Sequence, residues 1–177
     1  RYYRDKSTEF QETPTFGVAM GRENTGKPLL DFWNGKNYGK PLFKGLRNCN
    51  IFLENIDNVR DMTVQEKNQW KAEAKVIKSY LHFYLMRLYG PIPIMKDNIP
   101  ITADESEVMV TRDGIDEIVD YCVALIDECY EDLALRITNS SADMGRLSRT
   151  AARVLKAKSL AQAASAVYNG HGEVAER

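Results

Sequence analysis

The chain has 177 residues, 44% of them hydrophobic, and its 24 lysines and arginines nearly balance 25 aspartates and glutamates. This length fits one ordinary domain with a substantial core, and the balanced charge excludes a basic surface for nucleic acid. No apolar run approaches the ~18 residues of a membrane-spanning helix. The cysteines are too few and too widely spaced for a disulfide framework or a CxxC zinc site: Cys49, Cys122 and Cys129.

Residues 1–39 show no sustained hydrophobic period and are interrupted by glycines and prolines. We therefore predict an irregular surface segment, with a short strand over residues 16–20 as an option. Residues 21–28, GRENTGKP, approach a phosphate-binding loop, but Pro28 stands where Ser or Thr should hold Mg²⁺. The better interpretation is a glycine-rich turn.

Residues 31–39, DFWNGKNYG, contain the candidate ligand-binding side chains of the chain. An aromatic ring can stack on an apolar face of a sugar or peptide, and an amide side chain both donates and accepts hydrogen bonds. The candidate set is Trp33, Asn34, Asn37 and Tyr38. The alternative, which we favour at this point, is that Phe32 and Trp33 hold the loop onto the core.

Four helices are predicted between residues 40 and 169, over about 41–59, 64–89, 114–135 and 149–168. In the first, apolar residues with helical spacing form the inner stripe: Leu42, Leu46, Cys49, Leu53 and Ile56. A short link over residues 60–63 joins it to the second helix. Such a short link predicts that the two helices are antiparallel.

The second predicted helix, over residues 64–89, is the central core element. Thr63 and Glu66 form a capping box at its start, and Gly90 followed by Pro91 ends it. Its predicted inner face follows steps of four and three residues: Trp70, Ala74, Ile77, Leu81, Tyr84 and Leu88. The face is widened by Tyr80, Phe83 and Leu85. The opposite, solvent side is predicted to carry Lys71, Lys75, Lys78 and His82.

A connector over residues 91–110 is held extended by its prolines and has a small acidic run at residues 104–107. Its spacing fits no calcium-binding loop, so we interpret the run as a solvated face. The third helix follows, with Asp113 as its predicted N-cap. Its buried stripe is predicted at Ile115, Ile118, Val119, Cys122, Leu125, Ile126, Cys129 and Leu133.

The fourth helix is rich in alanine, and small side chains let another helix approach closely. One face comprises Val154, Ala157, Ala161, Ala164 and Tyr168. We expect this face to meet a further helix that the chain does not contain. Residues 170–177 are predicted to form a terminal loop.

The predicted fold class is all-α, with two antiparallel helical hairpins after an irregular N-terminal segment. Paired antiparallel helices of this kind are typical of a helical-repeat protein and not of an enzyme with a closed pocket. The two histidines, His82 and His171, have no partner pattern, and the chain has no G-x-S-x-G, no H-E-x-x-H and no intact phosphate loop. We predict no catalytic residue, no metal site and no cofactor.

Three stretches of the chain resemble the SusD/RagB family of nutrient-binding lipoproteins. The first is LRNCNIFLENI at residues 46–56, and the third is GRLSRTAA at residues 145–152. The second and most specific is EAKVIKSY at residues 73–80, followed by Phe83 and by LYGPIPI at residues 88–94. The chain departs from the family at Lys78, where Arg is usual, at Ser79, where Ala is common, and at His82, where an aromatic is common.

The resemblance implies a tetratricopeptide-like helical fold and a lipoprotein of the outer membrane surface in Bacteroidetes-type bacteria. It implies a SusC-type TonB-dependent transporter as the partner, and anchoring through an N-terminal lipid that this chain lacks. Because family members are much longer and the chain begins at Arg1, it would be an N-terminal portion without the C-terminal half. In some members an aromatic before these helices touches sugar, and Trp33 is the residue that could correspond.

Three functions remain open from the sequence. The first is non-catalytic capture of an oligosaccharide and its delivery to the transporter. The second is capture of a peptide by the same fold. The third is a helical-repeat scaffold that binds another protein through the grooves between its helices.

Overall fold

The computed structural model describes residues 14–24, 26–36, 39–100, 102–138, 141 and 143–169. Within them the chain forms the helices α1 (Pro14–Ala19), α2 (Leu42–Asn55), α3 (Val64–Tyr89), α4 (Glu105–Val108), α5 (Ile115–Cys129), α6 (Arg149–Ala163) and α7 (Ala166–Asn169). Short 3₁₀ turns extend α2 over Ile56–Asn58 and α5 over Tyr130–Asp132. The described residues include two isolated β-bridges, Ile92 with Asp113 and Ala134 with Ser148, and no strand. The predicted all-α class is confirmed.

The chain divides into two compact units, Arg1–Lys44 and Gly45–Arg177. The optional strand over residues 16–20 is wrong, because Pro14–Ala19 is helical. Its backbone groups are satisfied locally, as where the Met20 N–H donates to the Phe16 carbonyl at 3.0 Å. A proline at the first helical position suits this start, since its missing N–H would have had no helical partner. The remainder of this predicted irregular segment has no other helix among the described residues before Leu42.

The caps predicted for α3 are confirmed. The Thr63 Oγ1 accepts from the Glu66 N–H at 3.2 Å, and the Glu66 Oε2 accepts from the Thr63 N–H at 2.8 Å. This reciprocal pair satisfies backbone donors that the first turn leaves unpaired. At the other end Gly90 has a φ of +70°, which L side chains rarely adopt, and its N–H donates to the Met86 carbonyl at 2.8 Å.

The inner face predicted for α3 is only partly right: Ala74, Phe83 and Leu85 are buried as predicted, but other members of the face are exposed. Trp70 is 46% exposed, Ile77 44% and Leu88 42%. Lys78 and His82, which the pattern assigns to solvent, are buried. The buried residues of α3 are Ala72, Ala74, Val76, Lys78, Ser79, His82, Phe83, Leu85 and Met86. Large apolar residues occur all round this helix, so its period alone does not say which side meets its neighbours.

The most extensive helix pair of the second unit is α3 with α5. The helices are antiparallel, since Lys75 Nζ contacts Glu128 Oε1 at 2.6 Å while Ser79 lies against Cys122. The Ser79 Oγ donates to the Cys122 carbonyl at 3.0 Å, and the Cys122 thiol donates to the Ser79 carbonyl at 3.4 Å. The predicted stripe of α5 is largely confirmed, with six of its members buried: Ile118, Val119, Cys122, Ile126, Cys129 and Leu133.

Helices α2 and α3 also run antiparallel. Gly45 faces the Leu81 side chain, whereas further along α2 the Phe52 ring lies 6.5 Å from the Trp70 ring, measured between centroids. Leu46 and Ile56 are buried as predicted, and Asn50 is buried between them.

Helix α6 packs antiparallel to α5. Lys156 Nζ reaches Asp127 Oδ1 at 2.6 Å, and Arg149 Nη1 reaches Glu131 Oε2 at 2.8 Å. The buried side of α6 consists of Ala152, Leu155 and Ser159. The predicted alanine face lies on the other side, where Val154 is exposed. Its meeting with a further helix stays a prediction.

Candidate functional site

The loop that contains the candidate ligand-binding residues is organised around Asp31. One carboxylate oxygen, Oδ1, accepts from the Trp33 N–H at 3.0 Å and from the Asn34 N–H at 2.8 Å. The Asp31 carbonyl accepts from the Gly35 N–H at 3.0 Å. Asp31 is only 4% exposed. Hydrogen bonds from the Asn34 N–H above all, and then from the Asn34 side chain and the Trp33 N–H, hold the pKa of the Asp31 carboxyl below its ordinary value.

The two ends of this loop are held close together. The Leu42 N–H donates to the Phe32 carbonyl at 3.0 Å. At Gly39 the backbone passes so close to Asp31 that a Cβ atom there would collide with the Asp31 carbonyl. Only glycine is compatible with that approach. The described residues of this loop are therefore held in part by contacts between their own backbone groups.

Trp33 and Asn34 differ in their exposure within this loop. The Trp33 ring is half-buried and meets the Phe43 ring edge-on, with centroids 4.8 Å apart and planes at 67°. Asn34 is exposed. Asn37 and Tyr38, the other two candidates, lie outside the described residues. The contact with Phe43 supports the alternative role for Trp33, which is to hold the loop in place. Part of the Trp33 ring is still exposed to solvent.

Sequence reasoning missed Asp31 as a member of this site. The sequence did contain a local pattern that could have indicated it, because Asp often opens a turn by accepting N–H groups two and three residues ahead. The residues Asp31-Phe-Trp33-Asn34-Gly35 fit that pattern.

The near-match to a phosphate loop over residues 21–28 has no structural support. The Asn24 side chain accepts from the Gly26 N–H at 2.7 Å, and Glu23 Oε1 accepts from the Leu29 N–H at 2.9 Å. A carboxylate so placed repels a phosphate. In the described part of the chain the next helix begins only at Leu42, so no helix N-terminus follows this turn directly.

A second polar group lies inside the helical unit, beneath the segment that follows α3. The Lys78 Nζ donates to the Lys96 carbonyl at 2.5 Å, and His82 Nε2 accepts from the Met95 N–H at 3.1 Å. The other ring nitrogen of His82 lies 2.8 Å from the Lys78 carbonyl. Burial lowers the pKa of His82 to about 4 and also lowers the pKa of Lys78. These residues anchor the connector rather than face a ligand.

Asp113 and Asn50 also hydrogen-bond to that connector. The Asp113 Oδ2 accepts from the Ile94 N–H at 2.6 Å. The N-cap of α5 is Gly114, whose N–H donates to Glu117 at 2.8 Å, so the prediction of Asp113 as N-cap is wrong. Asn50 Nδ2 reaches the Met95 carbonyl at 3.4 Å, while its buried Oδ1 has no partner among the described residues.

The outer side of α2 carries an open groove of about 390 Å³, lined by Asn48, Ile51, Phe52, Asn55, Ile56 and Val59. Its lining is mostly apolar, and the Asn55 amide is engaged by the Ile51 carbonyl at 2.7 Å. None of the sequence-predicted site residues lines this groove.

The described residues offer little for nucleophilic or metal chemistry. Burial raises the pKa values of the Cys122 and Cys129 thiols to about 11, which disfavours the reactive thiolate. No cluster of three or more metal-ligating side chains occurs in the part of the chain that the structure describes. No helix found there has the length and hydrophobicity needed to cross a bilayer.

Comparison with known proteins gives consistent matches. A model of the SusD-like family, described as "Starch-binding associating with outer membrane", matches residues 23–158. The curated "SusD-like protein P25" of Formosa agariphila is 28% identical over 119 residues, which are 67% of this chain and 22% of that protein.

Solved structures agree with these matches. The protein BT4246 superimposes with a TM-score of 0.65 at 32% identity, over 71% of this chain and 21% of its own. A "Laminarin binding SusD-like protein" shares the fold at a TM-score of 0.60 and 21% identity, over 73% of this chain and 28% of its own. The chain thus spans between 21% and 28% of the length of these relatives.

Proposed function

Because this chain belongs to the SusD-like family, we propose that it takes part in the non-catalytic capture of an oligosaccharide at the bacterial cell surface. The family match over residues 23–158 is the observation that carries the proposal. The matched region includes the whole loop from Asp31 to Gly39 as well as the helices that follow. The described residues of that loop combine an aromatic ring with an exposed amide, which are the groups that recognise a sugar ring.

Trp33 and Asn34 are the proposed ligand contacts of the described residues. A sugar presents an apolar face of C–H groups and a rim of hydroxyls. The solvent-accessible part of the Trp33 ring would contact the apolar face. The part of the exposed Asn34 amide that is not bonded to Asp31 would bond to neighbouring hydroxyls. Asn37 and Tyr38 stay proposed contacts on sequence grounds.

Titration calorimetry with malto-oligosaccharides and laminari-oligosaccharides tests this proposal. We expect one of the two series to bind, and Trp33→Ala and Asn34→Ala each to weaken binding by about tenfold, since a ring or amide contact contributes about 1 kcal/mol. Trp70→Phe is the control, because Trp70 belongs to the helical unit and should leave affinity unchanged. Binding of peptides but of no oligosaccharide would instead establish the peptide alternative.

We further propose a SusC-type TonB-dependent transporter as partner, with the protein held at the outer membrane surface by an N-terminal lipid. The family description, association with the outer membrane, supports this placement. Affinity purification from detergent-solubilised outer membranes should recover a large β-barrel protein in near-equal amount. Recovery of a soluble partner alone would favour the helical scaffold alternative.

The proposal is non-catalytic because the description of the matching family names starch binding and no reaction. We therefore expect a bound oligosaccharide to be recovered unchanged after prolonged incubation, which chromatography of the mixture would check.

A further inference from the structure

We propose that Asp31 is a positioning residue for ligand binding, whose buried carboxylate holds the backbone at Trp33 and Asn34 in the conformation that a sugar meets. This inference rests on the proposed function, because it assigns a role within the same loop. Asp31 would not touch the ligand. It would act through the two residues that do.

The carboxylate is placed for this role and not for contact with solvent. Its Oδ1 receives two N–H groups in succession, from Trp33 at 3.0 Å and from Asn34 at 2.8 Å. Hydrogen bonds to an ionised acceptor are stronger than neutral ones. A charged side chain that is 4% exposed is costly to bury unless such bonds compensate it. The loop therefore keeps a buried charge that is bonded by the N–H groups of Trp33 and Asn34 and by the Asn34 side chain.

Other contacts of the loop hold the residues beside these hydrogen bonds in place. The Phe32 carbonyl and the Leu42 N–H close the loop at 3.0 Å. Phe43 supports one edge of the Trp33 ring. With Asp31 also bonded to their N–H groups, the backbone at Trp33 and Asn34 is held from several sides.

Such order before binding has a direct consequence for affinity. A ligand that meets a preformed loop does not have to supply the free energy of ordering it. Loss of the Asp31 carboxylate should weaken binding although every ligand-contacting atom is still present. Asparagine keeps an oxygen at the same place and can accept both N–H groups, so it should restore much of the affinity that alanine loses.

The test measures oligosaccharide affinity by calorimetry for wild type, Asp31→Ala, Asp31→Asn and Asp61→Ala, with the oligosaccharide series that wild type binds. We expect Asp31→Ala to weaken binding by about tenfold and Asp31→Asn by about two- to threefold. Asp61 is an exposed aspartate in the link between α2 and α3, so its replacement should have no effect.

A ligand-free measurement separates positioning from general loss of structure. Amide hydrogen exchange at Trp33 and Asn34 should accelerate in Asp31→Ala and return toward wild type in Asp31→Asn, while exchange in α3 stays unchanged. If Asp31→Ala binds as tightly as wild type, or leaves both amides protected, the positioning role is refuted. If wild type binds no oligosaccharide, the proposed function fails first, and this inference fails with it.

Discussion

His82 lies fully buried in the helical unit, with both ring nitrogens hydrogen-bonded to backbone groups. Nε2 must be unprotonated to accept the Met95 N–H, so Nδ1 carries the proton and donates it to the Lys78 carbonyl. Protonation of Nε2 would place two donors face to face. The charged and polar groups nearest to this ring are Lys78 on its own helix, Tyr121 on α5 and Asp113 just before α5.

The free energy of unfolding should therefore fall in acid because of His82. Its pKa is about 4 in the folded chain and 6.5 ordinarily, so the unfolded chain takes up the proton first as the pH falls. The stability that depends on neutral His82 is fully present above about pH 6.5 and is lost as the pH falls to about 4. The total loss in the free energy of unfolding is about 3 kcal/mol. Urea unfolding of wild type and His82→Gln at pH 7 and about pH 4.5 measures it.

Glutamine can accept the Met95 N–H but does not titrate, so His82→Gln should show a smaller pH dependence than wild type. His171→Gln removes the other histidine of the chain and should keep the wild-type dependence. An equal loss of stability in wild type and His82→Gln would show that acid acts through other groups.

At the scale of the helix, α3 shows that burial follows the neighbouring elements rather than the hydrophobic count. Val76 is 1% exposed and faces the interior, whereas Ile77, one residue later and larger, is 44% exposed. Rotation by one residue on a helix is about 100°, which is enough to move a side chain from interior to surface.

Truncation of Val76 should lower the free energy of unfolding more than truncation of Ile77. We expect Val76→Ala to lower the free energy of unfolding by roughly 1–3 kcal/mol through lost burial and a small cavity, and Ile77→Ala by less than about 1 kcal/mol. Chemical denaturation of both variants measures the difference. A larger loss for Ile77→Ala would mean that Ile77, and not Val76, lies on the buried side of α3.

The connection between α3 and the turn before α6 depends on Arg146. Its guanidinium donates to Glu73 through Nη2 at 2.8 Å and Nε at 3.2 Å, and it lies over the Trp70 ring at 4.9 Å. Asp143 holds the remaining side at 3.2 Å. A planar guanidinium can make all of these contacts at once, whereas an ammonium group cannot.

A double-mutant cycle of Arg146→Lys and Glu73→Gln should give a coupling free energy of about 1 kcal/mol. The control cycle uses Lys71→Gln and Asp57→Asn, a pair at 2.6 Å whose aspartate is largely exposed. That coupling should be close to zero, because exposed ion pairs are well solvated. Equal couplings in the two cycles would remove any special role for Arg146.

At the scale of the whole chain, several large apolar side chains stand on the surface of the helical unit. On α3 they form one stripe, at Trp70, Ile77, Tyr80 and Leu88. On α6 and α7 they include Val154, Leu160 and Val167. Exposed apolar residues that share one side of a helix favour association more than singly scattered ones do.

We expect the isolated chain to associate as its concentration rises, and the double variant Ile77→Gln/Leu88→Gln to associate less while keeping its stability within about 1 kcal/mol. Sedimentation velocity over a concentration series measures this. Val64→Gln is the matched control, since Val64 is exposed but lies off the stripe. Unchanged association in the double variant would exclude the stripe as its cause.

Much of the helical framework could be read from the sequence because its determinants are local. The capping box of Thr63 and Glu66 and the stop at Gly90 involve neighbouring residues only, so α3 begins and ends where it was expected to. The stripe of α5 was equally clear, because its apolar residues lie on one side and its acids on the others. The same local motifs carried the resemblance to the family.

Only the tertiary structure decided which groups those helices bury. Residues distant in the chain decide which side of α3 faces inward and why Lys78 and His82 are buried. They also decide that Asp113 accepts the Ile94 N–H and does not cap α5. In the candidate loop the sequence by itself indicated Trp33 and Asn34, but not the buried Asp31 that binds their N–H groups. The reason is physical: a cap or a stripe is settled within a few residues, whereas burial is settled by what packs against it.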